Sequence, residues 1–219
     1  MSEPRVLDRP NSYIGKVVPR PNVRKLVRGK GRFVDDLTLP RMLHAAFVRS
    51  PHAHAEITGI DTAAAAAMPG VACVITGREL AEHCKPWVGI LTLFKGMRSP
   101  PQHALAVDRV RWQGEPVVAV VANSRAEAED AAAVVDVTYE ELPVVVSSEA
   151  ALEPGTEVIH PELGDNLVFE NAIDAGDVDG AFAAADHIVE EVFEFGRQTA
   201  TTLEPRVILA DYSEADEGL

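Results

Sequence analysis

Cysteine is nearly missing from this chain. Only Cys73 and Cys84 occur, and they form neither a disulfide framework nor a CxxC metal pattern. A reduced, cytoplasmic setting is the simplest expectation. Positive charge is also short, with 20 Lys and Arg against 34 Asp and Glu and a net charge of −14. That balance argues against a nucleic-acid partner. No apolar run approaches the roughly 20 residues of a membrane span. The first residues carry charges but no apolar core, so no signal peptide is expected. There is no GxSxG, no HExxH and no phosphate-binding Walker loop, which leaves no self-contained catalytic constellation.

What is present is the composition of a globular protein. Of 219 residues, 47% are hydrophobic, 25% charged and only 5% aromatic, enough to bury a core in one or two domains. The charge is uneven. Residues 1–50 hold 11 basic and 4 acidic groups, leaving 9 basic and 30 acidic for the rest. A basic arm on an acidic body either docks onto another acidic surface or folds onto its own; the sequence leaves both open.

The most readable stretch runs from Gly114 to Pro143. Val117 to Val121 is a short, mostly β-branched run that suits a strand covered on both faces. Ser124 stands three residues before Glu127, a capping-box pattern. Ala128, Ala131, Ala132 and Val135 then recur at helical spacing, and Val137 to Tyr139 returns to strand composition. A second strand–helix–strand unit precedes it. Glu56–Ile60 and Val71–Ile75 read as strands around Ala63–Met68, which has high helix propensity behind Asp61 and Thr62. Thr76 and Glu79 make another capping pattern. Met42–Arg49 reads as a strand, Arg32–Val34 as a short one, and residues 85–103 as a long loop. Further on, Asp177 caps a helix through Val178–Ala185, and His187–Phe195 and Arg206–Tyr212 read as strands.

Several motifs reduce to structural roles. Gly29-Lys30-Gly31 lacks the third glycine and the following helix of a dinucleotide loop, so these are turn glycines. His52 and His54 have no further ligands at metal spacing, nor does His83-Cys84. Glu140 and Glu141 are adjacent on a strand and point to opposite faces.

Ordered short motifs remain: Ile14-Gly15, GKGRFVDD from Gly29, LHAAFVRSPHAHAEI from Leu43, Pro69-Gly70-Val71, and Ala106-Val107-Asp108 with Gly114-Glu115-Pro116-Val117. AEDAAAVVDVTYEELP, HPELGDN from His160, GDVDGAFAAADHIVE from Gly176, and LEPR from Leu203 follow. Taken together the set resembles the molybdenum-binding large subunit of the molybdenum hydroxylases, the family of xanthine dehydrogenase, aldehyde oxidase and aerobic carbon monoxide dehydrogenase. The resemblance covers nearly the whole chain.

The resemblance implies an α+β architecture. It divides the chain into a basic arm at 1–28, an α/β-hammerhead domain at 29–146, a linker at 147–166 and the incomplete start of a molybdopterin-binding domain at 167–219. It implies the molybdenum cofactor, molybdopterin, in a complete subunit, with iron–sulfur clusters and FAD on partner subunits or domains. The partners would be the remainder of the molybdopterin-binding subunit and the iron–sulfur and FAD subunits. The activity implied is oxidation of a heterocycle, an aldehyde or carbon monoxide, with this chain inactive alone. The family's glycine-rich GGGFG segment and its catalytic glutamate do not occur here, so no catalytic residue and no metal ligand is assigned. One carry-over is made: Gln198, six residues before Glu204, is the candidate cofactor contact. Glu204 and Arg206 are expected to be structural. The competing expectation is a non-catalytic binding or assembly module built on the hammerhead.

Overall fold

The computed structural model describes residues 13, 15–89, 91, 93–173, 175–202, 205–213, 215 and 218. They form two units: residues 41–190, and the described residues before 41 together with those from 191 onward.

The 41–190 unit is built on two three-stranded antiparallel sheets. In chain order the elements are β1 (His44–Arg49), β2 (Ala55–Asp61), α2 (Ala63–Ala66), β3 (Val71–Thr76), α3 (Gly77–His83), β4 (Arg109–Val110), β5 (Pro116–Ala122), α4 (Arg125–Ala133), β6 (Asp136–Glu141) and α5 (Val178–Ala184). One sheet has the order β1-β5-β3 and the other β4-β2-β6. Both strand–helix–strand units expected from the sequence form, and each crosses from one sheet to the other. The first starts in β2 and ends in β3; the second starts in β5 and ends in β6.

β5 takes the centre of its sheet because its residues are apolar on both faces. Val117, Val118, Val120 and Ala122 are all buried. Helix α4 packs against β1 and β5 through Ala128 and Ala131, whose small side chains let the helix lie close. Its start is set by Ser124, whose Oγ accepts the Glu127 N–H at 3.2 Å and donates to the Glu127 carboxylate at 2.8 Å. Ser124→Ala is expected to lower stability by about 1 kcal/mol. A urea titration would show this as a lower midpoint at unchanged slope, and an unmoved midpoint would remove the cap.

The first unit's helix is shorter than its sequence suggested. α2 stops at Ala66, and the Asp61 carboxylate, not Thr62, accepts the Ala63 N–H at 2.9 Å. Thr76 and Glu79 form the full reciprocal box at the start of α3. Glu140 and Glu141 lie at an exposed strand end.

In the other unit, α1 (Val23–Leu26) ends where Lys30 N–H reaches the Lys25 carbonyl at 2.8 Å, with Gly29 in the left-handed region at φ +65°. The glycines therefore close a helix; they do not open one. Arg32–Val34 does not form the expected strand. The Asp36 carboxylate accepts the Phe33 N–H at 3.0 Å and folds Val34–Asp36 into a 3-10 turn. His187–Phe195 and Arg206–Tyr212 also form no strand among the described residues. Most of their apolar side chains are exposed, with Val192 at 93%. A strand needs a neighbour for its N–H and C=O groups, and no described segment provides one.

Candidate functional site

Polar side chains gather where residues 151–167 meet the ends of β2, β4 and the loop after α3. Asn166 organises this seam. Its side-chain oxygen accepts the Ile159 N–H at 3.0 Å, and its nitrogen donates to the carbonyls of Ala151 (3.1 Å) and Glu157 (2.9 Å). Arg111, just past β4, donates to the Ile159 carbonyl at 3.3 Å. Arg98, from the long loop, donates to the Leu163 carbonyl at 2.8 Å, to the Asp165 carboxylate and to the Leu167 carbonyl. The HPELGDN stretch is thus held by side chains from two other segments and by its own Asn166.

Charge is matched around it. Arg109 meets Glu56 at 2.8 Å across paired positions of β2 and β4. Burial pushes the Glu115 carboxyl up from its usual range, opposed by the Arg111 N–H at 2.6 Å and the nearby Arg111 charge. His54 is 1% exposed, and its Nδ1 lies 2.8 Å from the Pro143 carbonyl. Nδ1 is therefore the protonated nitrogen, and the buried Nε2 has no partner. His52 instead packs beside Tyr139, with ring centroids 5.0 Å apart, and lies 3.6 Å from Glu141. The two histidines face different surroundings and do not converge on one ligand. Burial raises the Tyr139 phenol, partly offset by Ser50. The Tyr139 hydroxyl still lacks a well-formed hydrogen bond, because Ser50 Oγ is engaged with the N–H and C=O of His52.

His160 sits 3.3 Å from Glu162. Burial lowers its pKa, Glu162 opposes that, and the positive charge of Arg111 reinforces it. A histidine with a depressed folded-state pKa favours the neutral form in the folded chain. Its contribution to stability is present above the unfolded value of about 6.5 and is lost as pH falls below it. Thermal melts between pH 7.5 and 5.5 are expected to show a shallower acid-side decline in His160→Gln than in the unaltered chain. Parallel curves would rule out that contribution.

Gln198, the candidate cofactor contact, is exposed and lies outside any helix or strand. Every side chain from 191 to 202 is exposed. Among the described residues no group of three His, Cys, Asp or Glu could hold a metal ion. The Gln198 side chain is an amide, a group that can both donate and accept. Sequence reasoning did not single out Arg98, Arg111 or Asn166. Asn166 lies inside the HPELGDN motif, which was the available signal.

Comparison with known proteins places this geometry. Residues 28–143 match the family described as "Aldehyde oxidase and xanthine dehydrogenase, a/b hammerhead domain", and residues 159–219 match "Molybdopterin cofactor-binding domain". The nicotine 6-hydroxylase large subunit of Paenarthrobacter nicotinovorans is 41% identical over 97% of this chain, which covers 27% of that protein. The carbon monoxide dehydrogenase large chain of Afipia carboxidovorans is 35% identical, over 92% of this chain and 26% of its own length. Among solved structures, quinoline 2-oxidoreductase from Pseudomonas putida 86 superposes with a TM-score of 0.71 at 40% identity, over 78% of this chain and 21% of that one. This chain spans about a quarter of the length of the curated relatives it matches. It belongs to the aldehyde oxidase and xanthine dehydrogenase family of molybdenum hydroxylases, in the part of the large subunit that joins the α/β-hammerhead to the molybdopterin cofactor-binding domain.

Proposed function

We propose that this chain works as the hammerhead and opening cofactor-domain portion of a molybdenum hydroxylase that oxidises an electron-poor nitrogen heterocycle. The observation that carries the reading is the consecutive match of the two domains in one chain, at 28–143 and 159–219. A heterocycle is favoured because the relatives named for nicotine and quinoline match at 41% and 40% identity over 97% and 78% of this chain, whereas a carbon monoxide dehydrogenase at 40% identity covers 63% of it. The working division is an arm at 1–28, the hammerhead at 29–146, a connector at 147–166 and the cofactor-domain segment at 167–219. The partners are the remainder of the molybdopterin-binding subunit and the iron–sulfur and FAD subunits, in the cytoplasm.

In this reading the molybdenum cofactor supplies the redox chemistry, and the protein binds and orients it. Gln198 is the one side chain of this chain proposed to touch it. Its exposure leaves the amide available to donate to an oxygen of the cofactor once other segments close around it. The chain alone is expected to be inactive. In a reconstituted complex, Gln198→Ala is expected to lower turnover about 10- to 100-fold with molybdenum content unchanged, the usual scale for a hydrogen-bonding neighbour of a metal centre. Unchanged turnover and unchanged molybdenum would remove Gln198 from the site. A full complex that oxidises none of the three substrate classes would return the chain to the binding-module reading.

A further inference from the structure

The loop between α3 and β4 is held at its base and at its far side, and it carries apolar side chains into water. Trp87 and Gln102 exchange two backbone hydrogen bonds of 2.8 Å, which close the loop. Beyond them, Trp87 is 65% and Leu93 90% exposed, and Val88, Leu91 and Phe94 are exposed too. The Phe94 ring lies 4.7 Å from Phe169, and the Arg98 N–H donates to the Val168 carbonyl at 2.9 Å. Leu167 and Val168, next to Phe169 in the chain, are exposed as well. The Arg98 guanidinium joins the halves through Leu163, Asp165 and Leu167.

A tethered loop that presents large apolar groups to water marks an interaction surface. Its occupant is indicated by which residues complete it. Leu167, Val168 and Phe169 lie inside the stretch matched to the cofactor-binding domain, at 159–219. This chain covers only about a quarter of the length of the relatives it matches. We infer that this two-part platform is the seat of the remaining molybdopterin-binding polypeptide, and that Arg98 is the positioning residue that keeps its halves in register. The inference rests on the proposed function and specifies a contact within it.

The test uses the full chain. The probe is the portion of the nicotine 6-hydroxylase large subunit that follows the region matched here, co-expressed with the chain and then titrated against it. The unaltered chain is expected to form a one-to-one complex. Leu91→Ser with Leu93→Ser is expected to weaken it at least tenfold with circular dichroism and melting temperature preserved, and Arg98→Met to weaken it at least tenfold with the circular dichroism of the sheets preserved. Val134→Ser, at an exposed apolar position after α4, serves as control and is expected to bind normally. Equal binding by all variants would overturn the platform and leave the proposed function standing. No complex with the unaltered chain would overturn both. A dimer of the chain alone that Leu91→Ser with Leu93→Ser abolishes, while the hetero-complex persists, would assign the surface to a second copy and also overturn the inference.

Discussion

Gly77→Ala is expected to destabilise the 41–190 unit more than any other substitution of a single glycine in it. Gly77 is the first residue of α3 and is buried. A Cβ built there would stand 1.9 Å from the Ala106 carbonyl oxygen and 2.6 Å from its carbon. Both sides of the clash are backbone. The Ala106 N–H is held by the Pro116 carbonyl at 2.8 Å, so this strip is tied to the central strand β5. On the other side, the capping box of Thr76 and Glu79 fixes the start of α3. Overpacking of this kind, with no flexible side chain to give way, costs about 3 kcal/mol or more. That is a large part of the roughly 5–15 kcal/mol that stabilises a typical domain. Gly59→Ala is the matched control. Its added Cβ would meet only the Thr138 side chain, at an ordinary 3.6 Å. Soluble yield and urea midpoint are expected to fall sharply for Gly77→Ala and to change little for Gly59→Ala. Equal behaviour of the two would show that the Ala106 contact is not what excludes a side chain.

Asn166→Ala is expected to loosen the seam without unfolding the sheets. The substitution strands one N–H and two carbonyls, at Ile159, Ala151 and Glu157. At about 1 kcal/mol for each lost bond, the segment loses about 3 kcal/mol. Hydrogen exchange at the Ile159 amide should then speed up about 100-fold, while amides of β5 keep their protection. Asn166→Asp separates the two roles of the side chain. It retains the acceptor for Ile159 but turns a carboxylate toward two carbonyls, so it is expected to be nearly as disruptive. Unchanged exchange at Ile159 in Asn166→Ala would show that the turn is held by other contacts.

The elements whose signal is local were legible in the sequence. The Val117–Val121 run lies one residue inside each end of β5, and Ser124 caps the helix it was expected to cap. What the pattern did not contain was partnership. Nothing in Val117–Val121 says that β1 and β3 flank it, because that depends on residues tens of positions away. The same limit explains the missing strands. The apolar residues of His187–Phe195 and Arg206–Tyr212 describe a surface that needs covering, not the chain that covers it. The seam was hidden for a related reason. Arg98 reaches carbonyls and a carboxylate that lie 65 to 69 residues further along, and a lone arginine in a loop carries no trace of that. Gln198 was reached only through resemblance to a family, and its exposed surroundings add no independent local signal.

The crossing of each strand–helix–strand unit between sheets limits where this gene can be divided. The β1-β5-β3 sheet draws its strands from residues 44 to 122, and the β4-β2-β6 sheet from residues 55 to 141. The two intervals overlap almost completely. A cut anywhere between β2 and β5 therefore splits both sheets, and a cut between β1 and β2 or between β5 and β6 strips one sheet of an edge strand. The stretch from His44 to Glu141 must be inherited, moved or fused as one block, and recombination that preserves a working module has to fall outside it.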